Sequence, residues 1–361
     1  MEVSHVSRSI DIKSHKGNYN VSFRVNGIDI LNKEPPEEAV FIIDKTIVER
    51  YQSRLIKIIH TERLLIIEAK EENKSIEKLS GYINQLIALK IRRDQQLIAI
   101  GGGIIQDITC FLSSIMLRGL PWTFFPTTLL AQSDSCIGSK SSINCGNIKN
   151  ILGTFYPPQS VIIDIGFLET LEKKDVLSGV GEMIKVHAID SPSSFNRIAS
   201  YYDQLLSDPK IMENFIYDSL LLKKKYIELD EFDKGPRNVM NYGHSFGHAI
   251  ESATNYAIPH GIAVTIGMDL ANFIAFKFEV SHPCHFERMH PLLQRNSNLY
   301  REIFIDRAVL LDVLAKDKKN SRTLLRLILP DQEGYIRIGL YENNDRLSKA
   351  ISQYFDIYRT T

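Results

Sequence analysis

The stretch QLIAIGGG at residues 96–103 carries an apolar run directly into three glycines, and DITCFLSSIMLRG behind it has the texture of a helix. An apolar strand that feeds a glycine turn and then a helix is the basic step of a parallel α/β sheet. Glycines at such a turn let backbone N–H groups approach a phosphate, and the helix start adds partial positive charge. The three glycines do not form the GxGxxG fingerprint, and a triple glycine serves a plain tight turn as often as a nucleotide site.

The same texture extends to either side. AVFIID (39–44) is a near-continuous apolar run ending in an acid, and RLLIIEA (63–69) is another; both read as buried parallel strands. Between them and the glycines, SIEKLSGYINQLIALKI (75–91) places Ile76, Leu79, Ile83, Leu86 and Ile87 at helical spacing. WTFFPTTLLAQSD (122–134) gives a strand ending at Pro126, and SVIIDIGFL (160–168) a further one. Residues 1–35 read as short strands broken by Gly17 and Gly27, with VSFRV (21–25) alternating as a half-buried strand does. From Ser133 to Asn150 the chain turns to Ser, Asn and Gly, the composition of a ligand-facing or simply surface loop. Beyond about residue 170 the pattern is helical, apart from TLLRLILP (323–330), which reads as a strand. The expected architecture is a Rossmann-like α/β domain over 1–170 and a mostly α-helical domain over 171–361, with a cleft between them as the default site.

Bulk composition sets limits on function. The chain has 361 residues, 44% hydrophobic and 24% charged, with a formal net charge of +0. That balance carries no nucleic-acid footprint, and no apolar run reaches the length of a membrane span. The N-terminus has no apolar signal core. Cys110, Cys136, Cys145 and Cys284 lack zinc-ribbon spacing and fit free thiols in a reducing cytoplasm. A cytoplasmic protein is expected, with no nucleic-acid or membrane partner.

VMNYGHSFGHAIESATNYAIPHG (239–261) concentrates three histidines. His244 and His248 are four residues apart and share a helix face, while His260 lies between Pro259 and Gly261. Imidazoles gathered this way bind a divalent ion if a further group joins them; a single HxxxH is otherwise a polar helix face. Glu182 and Lys185, one turn apart, read in isolation as a surface ion pair. In SHPCHFERMH (281–290), His282, Cys284, His285 and His290 imitate a second metal site, but no spacing there is diagnostic and a solvated loop is expected.

Taken in order, GGGIIQD (101–107), LRG (117–119), PTTLLAQSDSCIGSK (126–140), IKNILGTFYPP (148–158), SGVGEMIK (178–185), DEFDKGPRNVMNYGHSFGHAIE (230–251), PHG (259–261) and DKKN (317–320) resemble the 3-dehydroquinate synthases and their relatives, the sugar phosphate cyclases. The resemblance spans roughly residues 37–330. It implies a phosphate-eliminating carbon–oxygen lyase, NAD-dependent yet without net redox change, acting on a seven-carbon keto-acid sugar phosphate. An alcohol is oxidised, phosphate is eliminated, the ketone is reduced again, and an aldol step closes the carbocycle. It also implies a catalytic Zn2+ (or Co2+), a homodimer and a place in the shikimate pathway of aromatic amino acid biosynthesis.

The resemblance assigns the metal to Glu182, His244 and His260, leaving His248 for substrate contact and proton transfer; a His244–His248 metal pair is the competing reading. Arg118, Lys140 and Lys319 match phosphate-side positions with Asn150 alongside, Arg118 from across a dimer interface. Lys223 and Arg237 match positions near a substrate carboxylate, where a guanidinium binds bidentately. Asp134, Lys185 and Asn241 match positions that hold hydroxyls. For the cofactor, the matching positions are Asp44, Glu71, Lys74, Gly102, Gly103, Asp107, Thr127, Thr128 and Lys149. So 1–170 becomes the NAD-binding domain and 171–361 the metal- and substrate-binding one.

The chain also departs from the family pattern. Gln106 and Ile148 stand where glycine is common, Ser139 replaces the second of a glycine pair, FYPP replaces FYQP, and Met240 stands where leucine is usual. Retention of Arg237, Lys223 and Asn241 favours a carboxylated substrate, hence a dehydroquinate or amino-dehydroquinate synthase over valiolone-type or inosose-type cyclases. A metal- and NAD-dependent alcohol dehydrogenase and a non-catalytic binding paralogue are the readings from other classes.

Overall fold

The computed structural model describes residues 6–146, 148–316 and 324–359. The chain divides into two compact units, Met1–Leu171 with Lys224–Phe232, and Glu172–Lys223 with Asp233–Thr361. A short stretch, 224–232, returns to the first unit.

In the first unit the strands are β1 (Val6–Ile12), β2 (Tyr19–Arg24), β3 (Ala39–Asp44), β4 (Leu64–Ile67), β5 (Gln96–Gly101), β6 (Trp122–Pro126), β7 (Ile143–Cys145), β8 (Ile148–Leu152) and β9 (Ser160–Ile163). Among the described residues seven of them form one sheet in the order β1-β2-β9-β6-β5-β3-β4, while β7 and β8 pair separately. All neighbours in the large sheet run parallel except the edge pair β1 and β2. Every residue of β3 is buried, as a strand covered on both faces requires. Ile43 pairs with Ile100 and Gly101 with Pro126, so the carboxyl ends of β3, β5 and β6 lie side by side. Ligands of open α/β sheets bind outside such strand ends.

Two expectations change here. Gly27 does not interrupt a strand; it starts the helix Gly27–Lys33. The polar stretch after Ser133 is not all loop, because β7 and β8 fold it into a hairpin. Strands of three and five residues are too short to show hydrophobic alternation in the sequence.

The second unit is built on the helix His260–Lys277, where every residue from Gly261 to Ala275 is buried. A helix apolar on all sides must be enclosed, and Lys173–Asp190, His244–Ala253, Pro283–Ser297 and Asp345–Tyr358 pack against it. Two of these contacts depend on glycine. A Cβ on Gly181 would stand 2.3 Å from the Gly261 carbonyl oxygen, and one on Gly267 would stand 2.1 Å from that of Gly243. The helices therefore meet backbone to backbone. Strands β10 (Leu324–Pro330) and β11 (Ile336–Glu342) form an antiparallel hairpin. β11 is a strand in a region whose sequence reads as helical, and Ile336 is its one buried residue. Among the described residues no helix is long and apolar enough to cross a membrane.

Candidate metal centre and strand-end site

Glu182, His244 and His260 come from three different helices of the second unit. The glycine contacts hold those helices close enough for the side chains to meet. Gly261 N donates to Ser178 Oγ at 3.0 Å, which fixes the start of the His260–Lys277 helix against the helix carrying Glu182. Glu182 Oε1 lies 3.8 Å from His244 Nε2 and 3.7 Å from His260 Nε2. One ligand atom from each residue lies within 4.8 Å of the other two. One carboxylate and two imidazoles at that spacing are a borderline-hard donor set of the kind that catalytic zinc uses, with positions left for substrate.

Both imidazoles have their far nitrogen engaged. His244 Nδ1 is 3.2 Å from the Tyr242 carbonyl, and His260 Nδ1 is 3.2 Å from Glu251 Oε2. A proton held at Nδ1 leaves the Nε2 lone pair facing Glu182, which is how partners of metal-bound histidines fix the tautomer. Burial holds His244 well below its ordinary value, helped by the charges of Lys185, His260 and His248. His260 is pulled down by burial too, but the Glu251 hydrogen bond and the Glu182 and Glu251 charges outweigh that and raise it.

Lys185 donates to Glu182 Oε2 at 2.5 Å, with both side chains almost fully buried. The Glu182–Lys185 pair is therefore not the surface ion pair its spacing suggests. His248 is exposed and stands outside the Glu182 group, with its ring centroid 5.5 Å from His244 and 5.7 Å from His260. It does form a second group with Glu251 and His260. Glu251 is the residue the sequence reading missed. Its signal was present: Glu251 follows His244 by seven residues on one helix, two turns on the same face.

Arg237 and Asn241 sit on the tight turn Pro236–Asn241, with Arg237 buried and Asn241 Nδ2 donating to Asn238 O at 3.1 Å. Lys223 is buried on the helix Pro209–Leu229. Lys319 lies outside the described residues. The stretch 281–290 is not the expected loop but the start of the helix Pro283–Ser297, and the imitation site disperses: His282 caps that helix, His285 Nε2 faces Gln332 O at 3.0 Å, and His290 Nδ1 faces Asp269 at 2.8 Å.

At the strand ends of the first unit, Asp44 is buried and its Oδ1 accepts from Thr46 N at 3.0 Å, so the residue also caps a helix. Burial raises its pKa above the ordinary carboxylate range. Gly102 and Gly103 lead into the helix Gly103–Ile115, and a Cβ on Gly103 would meet nothing closer than 3.9 Å, which leaves the backbone open to a ligand. Thr127 N donates to Gly101 O at 2.9 Å, and Thr128 Oγ1 accepts from Ala131 N at 3.2 Å. Asp134 is buried on the π-helical turn Ala131–Ser135, an irregularity frequent at functional sites.

Lys74 gathers several of the remaining cofactor candidates. Its Nζ lies 3.0 Å from Asp107 Oδ2, 3.0 Å from Asn150 Oδ1 and 3.4 Å from Glu71 Oε1. Burial would lower this ammonium, but Asp107 and Glu71 hold it above its ordinary range. Asn144 donates to Glu71 Oε1 at 2.8 Å and accepts from Asn150 N at 2.9 Å. Lys149, Asn150 and Arg118 are exposed, and Lys140 is half-buried. Leu117, Arg118 and Asn150 take left-handed φ values of 50°, 69° and 53°.

Residues 64–178 match the family model of the 3-dehydroquinate synthase N-terminal region, and residues 179–320 that of its C-terminal region. The 3-dehydroquinate synthase of Helicobacter pylori (strain P12) is 32% identical over 325 residues, covering 89% of this chain and 93% of the relative. Among solved structures, 2-deoxy-scyllo-inosose synthase, crystallised with carbaglucose-6-phosphate, NAD+ and Co2+, superposes with a TM-score of 0.82 at 23% identity, covering 96% of this chain and 100% of that one. The 2-epi-5-epi-valiolone synthase of Streptomyces hygroscopicus subsp. jinggangensis 5008, with NAD+ and Zn2+ bound, gives 0.82 at 22% identity, covering 99% of each. Identity at that level over nearly the full length of a curated relative, together with both halves of the family model in sequence order, settles the kinship: the chain belongs to the 3-dehydroquinate synthase family.

Proposed function

We propose that this chain is a phosphate-eliminating cyclase of the 3-dehydroquinate synthase type, using NAD and a divalent metal, Zn2+ or Co2+, on a seven-carbon keto-acid sugar phosphate. The observation that carries the reading is the meeting of Glu182, His244 and His260 around one point beside the buried Lys185. A divalent ion held there would polarise a substrate oxygen and stabilise developing negative charge. NAD, over Gly102 and Gly103 with Asp44 on a ribose hydroxyl, would take up hydride and return it.

The chain's own groups supply the rest. Lys185 and Asn241 hold substrate hydroxyls, and His248, exposed beside His244 and His260, moves the proton. From the second unit Lys223 and Arg237, both buried cations, suit a carboxylate. From the first unit Asp134 holds a hydroxyl, and Lys140, Asn150 and Arg118 take the phosphate, with Lys319 added from outside the described residues. Asp107, Thr127, Thr128, Glu71, Lys74 and Lys149 serve the cofactor side. We place the enzyme in the cytoplasm, as a homodimer in which Arg118 serves the partner's site. Sedimentation of the purified protein tests the dimer.

The deciding experiment is phosphate release from 3-deoxy-arabino-heptulosonate 7-phosphate, with NAD and zinc supplied and the product weighed by mass spectrometry. Phosphate release with 3-dehydroquinate formed and no net NADH is the expected result. Inactivity of metal-loaded protein would move the reading to a cyclase of another sugar phosphate. Steady NADH accumulation would move it to an alcohol dehydrogenase.

A further inference from the structure

Ser139 stands directly before Lys140 with φ 57°, a left-handed conformation that costs an L-residue roughly 1 kcal/mol or more. Its carbonyl and its hydroxyl are both tied down within the first unit. Its carbonyl accepts from Tyr156 N at 2.6 Å, and its Oγ donates to Glu231 Oε1 at 2.7 Å. Gly138, at φ 111°, donates its N–H to Tyr19 Oη at 3.1 Å.

Glu231 does more than hold Ser139. Its Oε1 also accepts from Ser14 Oγ at 2.5 Å, and its Oε2 accepts from His15 N at 2.8 Å. Burial would raise this carboxyl, but the Ser14, Ser139 and His15 hydrogen bonds outweigh it and hold the group below its ordinary value. The next residue repeats the connection with rings. Phe232 lies 5.1 Å from the His15 ring on one side and 5.1 Å from Phe155 on the other, and Phe155 forms a β-bridge with Lys140. The turn that supplies Ser14 and His15, and the start of β2 that supplies Tyr19, precede residue 64, where the family-model match begins.

We propose that Glu231 and Phe232, with the N-terminal turn 13–19, form a brace that fixes the 138–140 loop and thereby aims Lys140 at the substrate phosphate. Glu231 is a positioning residue here, two bonds of contact removed from the phosphate it serves. The proposal rests on the cyclase reading for the identity of the phosphate, but the brace itself does not.

Two variants test it. Ser139→Gly accepts the left-handed backbone and removes the link to Glu231 but adds backbone freedom of its own, so it is read only beside Glu231→Gln, which leaves the backbone unchanged. Glu231→Gln keeps the size and removes the charge. Amide hydrogen exchange across 136–141 is expected to accelerate about ten- to a hundredfold in both, as loss of a charge-assisted hydrogen bond implies. KM for 3-deoxy-arabino-heptulosonate 7-phosphate should rise about tenfold with kcat changed far less, and in a Lys140→Ala background Ser139→Gly should add nothing further to KM. Exchange within twofold of the parent in both variants overturns the brace. Faster exchange with unchanged KM, in an active parent, overturns the positioning of Lys140. A parent inactive on that substrate defeats the cyclase reading, and the exchange result still decides the brace.

Discussion

Glu251 Oε2 and His260 Nδ1 face each other at 3.2 Å, and this contact decides which nitrogen His260 turns toward Glu182. With the proton held on Nδ1, Nε2 is left as the ligand, 3.7 Å from Glu182 Oε1. The Tyr242 carbonyl does the same for His244. The donor set is thus preorganised by one side chain and one backbone group. Outer partners of this kind typically contribute ten- to a hundredfold in metal affinity. Glu251→Ala is expected to weaken zinc binding by about that factor in competition with a chromophoric chelator. Glu251→Gln, whose amide oxygen still accepts from Nδ1, should fall between. Parent-like affinity in Glu251→Ala would remove the orienting role. His260→Ala should lose the metal and nearly all turnover with the fold intact.

The glycine contacts that bring the three helices together give a second expectation. A methyl on Gly181 would clash with the Gly261 carbonyl and, at 2.5 Å, with Thr265 Oγ1. Neither is the free end of a flexible side chain, so the helices must part. Gly181→Ala is expected to cost about 1–3 kcal/mol and lower the melting temperature and metal content together. Gly81 offers the contrast: it lies in the helix Ile76–Ala88 and a Cβ there would meet nothing within 4 Å. Gly81→Ala should stabilise by roughly 0.5–1 kcal/mol through helix propensity alone. Equal melting shifts in the two variants would refute the close-approach argument.

His187 carries an acid-sensitivity prediction. It is fully buried, its Nδ1 lies 2.8 Å from Ser194 Oγ, and its Nε2 has no hydrogen-bond partner among the described residues. Burial pulls its pKa down from 6.5 to about 4. Between those values the unfolded chain binds the proton more readily than the folded one. Stability is therefore full above about pH 6.5 and lost as pH falls toward 4, by on the order of 3 kcal/mol from this residue. Urea midpoints of the parent should drop across that window, and His187→Phe should flatten the drop. An unchanged slope in that variant would assign the acid sensitivity elsewhere.

What the sequence disclosed follows from the kind of force involved. β3 and β5 are buried apolar runs, one ending in an acid and the other in glycine, so hydrophobic pattern alone locates them. The proposed ligand set could not be read from spacing, because Glu182 lies far from His244 in the chain and meets it through glycine-mediated helix contacts. It came from the family resemblance, and pattern alone left the His244–His248 pair open. The β7–β8 hairpin stayed hidden because polar and charged contacts hold it, above all the Lys74 network, and such contacts leave no periodicity. Glu231 escaped for the same reason: its partners Ser14 and Ser139 are distant in sequence and individually ordinary.

The Lys74 network yields the last expectation. Lys74 is buried, and its ammonium is shared by Asp107, Asn150 and Glu71. Burial pushes the Asp107 carboxyl up to about 6 even with Lys74 pulling it down. Removing the amine alone leaves that half-buried carboxyl in place without its cation, at a cost of up to about 3 kcal/mol. Removing both charges costs less, because the carboxylate then left without Lys74 is Glu71, which solvent reaches. Lys74→Met is accordingly expected to destabilise more than the double variant Lys74→Met, Asp107→Asn, as read from urea unfolding. Hydrogen exchange in 143–152 should rise in Lys74→Met, since Asn150 loses its anchor. If the two changes simply add, the ammonium is not the organising charge of this hairpin, and Asn144, which links Glu71 to Asn150 without it, takes that place.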